Sequence, residues 1–183
     1  MIIESPVGPL TLEADDEGLA RIEFGVDDRQ SCLSGKAGLP VLHDAIRQLA
    51  EFFDGRRTTF DVKLALRGTP FQLDVWRELL RIPYGETRSY AQIAKSIGRP
   101  AAIRAVGAAN GANPIPIIVP CHRVIGSNGS LTGFGGGIDV KRWLLEFESS
   151  SFFHHREDGE DGDIASTAPV WPPRRCWRSF RPS

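Results

Sequence analysis

The sequence predicts a small α/β unit, a little sheet with one helix, followed by a mostly α-helical unit containing a helix-turn-helix. Three observations carry this. Apolar and polar residues alternate through the first 24 positions, broken by a turn. Two helix starts of capping-box form follow, at Thr69 and Ser89. A short helix, a Gly-containing turn and a second helix then occupy the stretch from 89 to about 110. A chain of 183 residues has room for one good core or two small ones.

Taken in order, Pro6 to Leu12 alternates, Asp15-Asp16-Glu17-Gly18 turns, and Leu19 to Phe24 resumes alternation, giving a hairpin. From His43 to Phe53, apolar Ala45, Ile46, Leu49, Phe52 and Phe53 form the stripe of an amphipathic helix, ended by Asp54-Gly55. Thr59-Phe60-Asp61-Val62 reads as a further strand. Thr69-Pro70-Phe71-Gln72 opens a helix whose buried face is Phe71, Val75, Trp76, Leu79 and Leu80, stopped by Ile82-Pro83. Trp76 is expected in the core. Ser89 caps a short helix to about Ser96, Ile97-Gly98-Arg99-Pro100 turns, and a second helix runs from Ala101 to about Asn110. Ala101, Ala102, Ala105, Gly107, Ala108 and Ala109 keep that helix thin, so it can approach another surface closely. Residues 126–137 form a glycine-rich loop, and Asp139 to Phe147 a last helix with Val140, Trp143, Leu144 and Phe147 inward. The expected units are 1–66 and 67–148, with 149–183, proline-containing and without hydrophobic period, as a disordered tail.

Charge is uneven along the chain. Residues 1–66 hold 7 Lys/Arg against 12 Asp/Glu, whereas residues 67–148 hold 10 against 6. That fits an acidic companion beside a unit that meets phosphates. No apolar run approaches the length of a bilayer, and Met1-Ile2-Ile3-Glu4 has no signal-peptide pattern, so the reading is a soluble cytoplasmic protein without membrane contact. Cys32, Cys121 and Cys176, odd in number and widely spaced, suit neither a disulfide framework nor a Cys-pair zinc site. With only Cys32 and His43 as possible early ligands, no metal is expected.

The run from Asn113 to Val124, Asn-Pro-Ile-Pro-Ile-Ile-Val-Pro-Cys-His-Arg-Val, delivers one thiol with His122 and Arg123 directly behind it. A thiol reacts as its thiolate, and neighbouring His or Arg lowers a cysteine pKa. From residue types alone, a nucleophile and a buried structural cysteine remain equal alternatives. The glycines of Gly133-Phe134-Gly135-Gly136-Gly137 suggest a nucleotide-binding turn, but no βαβ unit with a following acidic residue supports one.

Pro120-Cys121-His122-Arg123-Val124 resembles the active-site signature of the O6-alkylguanine-DNA alkyltransferases, or methylated-DNA–protein-cysteine methyltransferases. The resemblance extends through Gly68-Thr69-Pro70-Phe71, Tyr84-Gly85-Glu86-Thr87, Ser89-Tyr90, Arg104-Ala105-Val106-Gly107, Asn113-Pro114 and Trp143 to Glu148, with a weaker match over the first 24 residues. It implies a winged-helix-like second unit that flips O6-alkylguanine from duplex DNA and moves the alkyl group irreversibly to Cys121. O6-methylguanine is the chief lesion implied, and O4-methylthymine a further candidate.

By the same resemblance His122 is the base acting through a water, Glu148 orients it, and Asn113 ties the cysteine strand to the recognition helix. Arg104 is the intercalating finger, Tyr90 lies by the target phosphate and base edge, and Ala105 and Gly107 face the minor groove. Val124, Phe134 and Gly135 line the base pocket; Phe134 stands where tyrosine is common, and Gly135 where a hydroxyl residue is. No cofactor is implied, the partner is double-stranded DNA carrying O6-alkylguanine, and the protein is expected to be a monomer. Competing readings are an alkyltransferase-like lesion-binding protein, which would lack the acceptor thiol, and a helix-turn-helix regulator, for which the alanine-rich second helix offers few major-groove readers. A papain-like hydrolase would need a distant histidine in a suitable motif, and His43, His154 and His155 supply none.

Overall fold

The computed structural model describes residues 1–26 and 38–154. The chain begins with a three-stranded antiparallel sheet: β1 (Ile2–Ile3), β2 (Leu10–Ala14) and β3 (Leu19–Phe24), in that order. Ile3 pairs with Leu10 and Leu10 with Phe24, and a bulge sits at Glu13/Ala14. Alternation places Leu10, Leu12 and Ala14 in the core, as the pattern predicts, whereas on β3 the buried Leu19 and Ile22 are three residues apart, across the register shift. Thr11 is buried too, and its hydroxyl donates to Gly25 O at 2.9 Å. Gly18 at the hairpin turn has φ +147°, and a Cβ there would lie 2.5 Å from Lys63 O, so the close approach of that segment requires glycine.

Helix α1 (Leu39–Phe53) starts four residues earlier than the stripe suggested, because Pro40 in its first turn is compatible with helix. Its inward face is Leu42, Ala45, Gln48, Leu49, Phe52 and Phe53. The expected strand at Thr59–Val62 is absent. Asp61 N–H donates instead to the buried Gln48 Oε1 at 3.0 Å, and only Leu64 bridges in parallel to Leu19. A side-chain amide has taken the donor that a ladder would need.

Helix α2 (Pro70–Leu79) has Thr69 as its cap, with the reciprocal Thr69–Gln72 bonds of a capping box. Strand β4 (Arg88–Ser89) leads into α3 (Tyr90–Ser96), capped in the same way by Ser89 and Gln92. Gly98, at φ 72°, closes α3, with its N–H on Lys95 O and that of Arg99 on Ala94 O. Helix α4 (Ile103–Gly111) begins two residues later than expected. The α3–turn–α4 pair is the helix-turn-helix, and Trp76 Nε1 pins α2 to it by donating to Ala109 O at 2.9 Å.

A 3₁₀ turn (Cys121–Arg123) passes into β5 (Val124–Ile125), which pairs in parallel with β4. Helix α5 (Ile138–His154) closes the described chain. It runs past Glu148, so residues 149–154 are helical rather than disordered; 155–183, with Cys176, and Cys32 in the 27–37 segment lie outside the described residues. The inward face of α5 also differs from expectation. Lys141, Leu144 and Glu148 are the buried residues, while Val140, Trp143 and Phe147 are only partly buried. Trp143 stacks on Phe147 at 5.0 Å, and Phe147 meets Phe52 at 5.6 Å, joining α5 to α1 in one continuous core.

Candidate active site

Cys121 is held by a strained turn. The segment from Asn113 to Pro120 is buried from Ile115 to Val119, and Ile117 has φ 75°. A β-branched residue in the left-handed region is unfavourable by roughly 1–3 kcal/mol and persists only where surroundings over-determine it. Asn113 does so: its Nδ2 donates to Val119 O at 2.8 Å, and its Oδ1 accepts from Ile115 N at 3.0 Å. Both ends of the turn are thus fixed by one side chain.

Cys121 is 4% exposed, and burial pushes its thiol up to about 11, against the opposing effects of Asn113 and Lys141. The expectation that the following His and Arg would lower it fails for a geometric reason. Arg123 is turned away, its Nη1 on Ile82 O at 2.7 Å and its Nε and Nη2 on Glu148 at 2.9 Å. Its charge is compensated there, so the resting cysteine is a thiol.

His122 is fully buried, and its Nε2 lies 2.7 Å from Glu148 Oε1. Burial lowers its pKa, with Glu148 working the other way. The ring is therefore neutral near pH 7, with the proton on Nε2 facing the carboxylate. Its Nδ1 has no hydrogen-bond partner among the described residues and is a free base. Burial would raise the Glu148 carboxyl, but the bonds and charges of His122 and Arg123 outweigh it and hold it at about 2.

Cys121, His122, Glu148 and Asn113 are thus assembled at one point. Tyr90 joins through the loop, its hydroxyl donating to Thr132 O at 3.3 Å, and the nearest side-chain neighbour of Gly107 is the Tyr90 ring. Val124 follows the thiol turn directly, and Phe134 sets its ring edge to His122 at 6.4 Å and packs on Phe24 at 5.4 Å. Gly135 and Cys121 line one cavity of about 820 Å³, bounded on its far side by β3. A shallower groove of about 290 Å³, between Tyr90, Ile103, Gly107 and Thr132, shares Gly111 with that cavity. Arg104 and Ala105 are exposed on the outer face of α4, away from the thiol.

Two charged residues escaped sequence reasoning. Lys141 is wholly buried, its Nζ donating to Val124 O at 2.6 Å and Thr132 O at 2.8 Å, so it staples the glycine-rich loop to the thiol turn. Burial holds its ammonium below the ordinary value. The readable signal was its spacing, since Lys141, Leu144 and Glu148 share one helix face. Arg123, read as a thiol activator, is instead the buried counterion of Glu148. Among the described residues no cluster of three metal-binding side chains occurs, and no helix is long and apolar enough to cross a membrane.

Two family models match. Residues 1–66 match the 6-O-methylguanine DNA methyltransferase ribonuclease-like domain, and residues 70–150 match the DNA binding domain of the same family. A methylated-DNA–protein-cysteine methyltransferase of Methanosarcina acetivorans is 50% identical over 159 residues, 81% of this chain and 97% of that protein. The constitutive methyltransferase of that name from Bacillus subtilis is 45% identical over 155 residues, covering 81% and 94%. Among solved structures, Mycobacterium tuberculosis OGT in complex with DNA aligns with a TM-score of 0.74 at 53% identity, covering 82% of this chain and 92% of that one.

Proposed function

The chain belongs to the 6-O-methylguanine DNA methyltransferase family, and from that premise we propose that Cys121 is the residue that takes the alkyl group. The protein is a DNA repair enzyme, a methylated-DNA–protein-cysteine methyltransferase acting on alkylated duplex DNA. The observation that carries the assignment of residues is the buried His122–Glu148 pair directly following the buried Cys121, with a free basic nitrogen on the neutral imidazole.

In the proposed step Sγ attacks the alkyl carbon as the O6–carbon bond breaks. The thiol proton passes through a water to His122 Nδ1, and Glu148 stabilises the imidazolium formed. The guanine leaves with the bond's electron pair and recovers a proton at N1, so atoms and charge balance. A thioether is a poor leaving group, so each molecule acts once. Because a thiol at about 11 is scarcely ionised at neutral pH, the base is needed at the moment of attack.

The target carbon is accessible only after the nucleotide leaves the stack, which costs a few kcal/mol. Arg104 on the exposed face of α4 fills the vacated position, Ala105 and Gly107 let that helix approach the minor groove, and Tyr90 stands at the entry. Val124, Phe134 and Gly135 receive the base. We assign 1–66 as companion unit, 67–148 as the DNA-binding and catalytic unit, and a cytoplasmic monomer as the working form.

The test is incubation with duplex DNA carrying labelled O6-methylguanine, followed by peptide mass analysis. One methyl group is expected on the Cys121 peptide, with product never exceeding protein. Turnover beyond one, or label on Cys32 or Cys176, rejects the assignment.

A further inference from the structure

The stretch Gly133-Phe134-Gly135-Gly136-Gly137 has one side chain, Phe134, with which to fix a run of permissive glycine backbone. That side chain is met from the other end of the chain by Phe24, their ring centroids 5.4 Å apart. The Phe24 ring also fills the space over Gly136, where a Cβ would lie 2.9 Å from its Cδ2 and 3.0 Å from its Cγ. Phe24 is itself held by regular structure. It ends β3 opposite Leu10, and the N–H of the next residue, Gly25, donates to Pro9 O at 2.8 Å. Two residues before Phe24 on the same strand, Ile22 N–H donates to Pro114 O at 2.9 Å, at the start of the turn that carries Cys121. One strand therefore grips both walls of the site, the thiol turn through Ile22 and the loop through Phe24, roughly 7 Å apart along β3.

Resting on the reading of Cys121 as acceptor, we propose that Phe24 is a positioning residue for alkyl transfer, holding the glycine-rich loop at a fixed separation from the thiol turn. Displacement needs the alkyl carbon in line with Sγ, and a misplacement of about 1 Å can slow such a step about a hundredfold. Lys141 ties the loop at Thr132, ahead of the glycine run, and Phe24 ties it at Phe134 and Gly136. Phe134 also sets its ring edge to His122 at 6.4 Å, so the grip from β3 reaches the base as well as the loop. The companion unit thereby contributes to the reaction through one aromatic side chain. Because duplex affinity rests on α3 and α4, loss of Phe24 acts on the transfer step and not on affinity.

The experiment is single-turnover methyl transfer to the full chain from a short duplex carrying labelled O6-methylguanine, over a range of DNA concentrations. The amplitude counts competent protein molecules, and the rate constant at saturating DNA belongs to each of them, so partial unfolding lowers the first and misplacement the second. In Phe24→Ala the saturated rate constant is expected to fall roughly ten- to a hundredfold, with the half-saturating DNA concentration unchanged. Phe24→Leu should recover most of that rate. Phe60→Ala removes an aromatic of the same unit that packs on Phe52 at 5.3 Å, and should lower amplitude without changing the rate constant. Gly136→Ala, whose added Cβ meets the Phe24 ring, should slow the natural chain and cost far less in the Phe24→Ala background, where that space is empty. A natural rate constant in Phe24→Ala at any amplitude, an equal slowing in Phe60→Ala, or the same cost of Gly136→Ala in both backgrounds overturns the role of Phe24 while leaving Cys121 as acceptor. If Phe24→Ala does not fold, Gly136→Ala alone decides: a lowered rate constant at full amplitude supports the proposal and an unchanged one overturns it. No transfer to the natural chain rejects the acceptor assignment and this inference with it.

Discussion

Replacing Glu148 with Gln tests whether the buried carboxylate holds the site together. Its Oε1 accepts from His122 Nε2 at 2.7 Å and Arg123 Nη2 at 2.9 Å; its Oε2 accepts from Arg123 Nε at 2.9 Å and Gly85 N at 3.1 Å. Every partner donates. Glutamine keeps the shape but presents an NH₂ to two of these donors, whichever way it turns, and Arg123, 6% exposed, loses its counterion. Breaking one side of a buried ion pair costs about 3–5 kcal/mol. At about 2–4 °C per kcal/mol for a chain of this size, the melting temperature at pH 7 should fall by roughly 6–20 °C.

The pH dependence has a definite sign. The carboxyl sits at about 2 in the fold against an ordinary value of 4.5, so its stabilisation is full above 4.5 and drains away as pH falls towards 2. His122, lowered from 6.5, adds a separate acid-side loss, because the unfolded chain takes a proton that the folded one refuses. Thermal melts followed by circular dichroism at pH 7 and pH 3 check this. The gap between natural and E148Q proteins should be wide at pH 7 and narrow at pH 3. Melting temperatures within about 3 °C of each other at pH 7, less than 2 kcal/mol, would refute the ion-pair argument.

Further outcomes follow from other parts of the site. Cys121→Ala should abolish methyl transfer while keeping affinity for duplex DNA, read by transfer and gel-shift assays on one preparation, since binding uses the helices and phosphates. Arg104→Ala should slow repair of duplex lesions more than reaction with free O6-benzylguanine, which needs no flipping; equal losses would move Arg104 to the pocket or the fold. Iodoacetamide labelling of Cys121 should rise about tenfold per pH unit from pH 7 to 10, because the thiol titrates at about 11, and a flat profile by peptide mass analysis would contradict that. Trp76→Phe removes the donor to Ala109 O and should cost about 1–3 kcal/mol in a denaturant melt, leaving a buried carbonyl unpaired.

What the sequence made legible was local. The capping boxes at Thr69 and Ser89 and the turn at Gly98 involve residues three to five apart, and they form where the pattern puts them. The strand expected at Thr59–Val62 failed because its fate depends on Gln48, 13 residues away from Asp61 and on another element. The site divides along the same line. Cys121 and His122 are neighbours and could be read together, but the partner of Arg123 lies 25 residues on, and the carbonyls held by Lys141 lie 17 and 9 residues back. Nothing in the run Pro-Cys-His-Arg says which charge meets the thiol.

That long-range choice changes the chemistry. Had Arg123 faced Sγ, the cysteine would be a standing thiolate, open to oxidation and to any alkylating agent that reached it. Glu148 draws Arg123 away instead, and burial keeps the thiol protonated at about 11. The same carboxylate holds His122 with its proton on Nε2 and its base at Nδ1. If the proposed step holds, one buried glutamate does two opposite things: it keeps the guanidinium from activating the sulfur at rest, and it stabilises the imidazolium formed when the thiol gives up its proton. A nucleophile that can be used only once gains from such an arrangement, since each adventitious reaction removes a whole protein molecule. The turn that carries it bears the cost of the strained Ile117, which the two bonds from Asn113 offset.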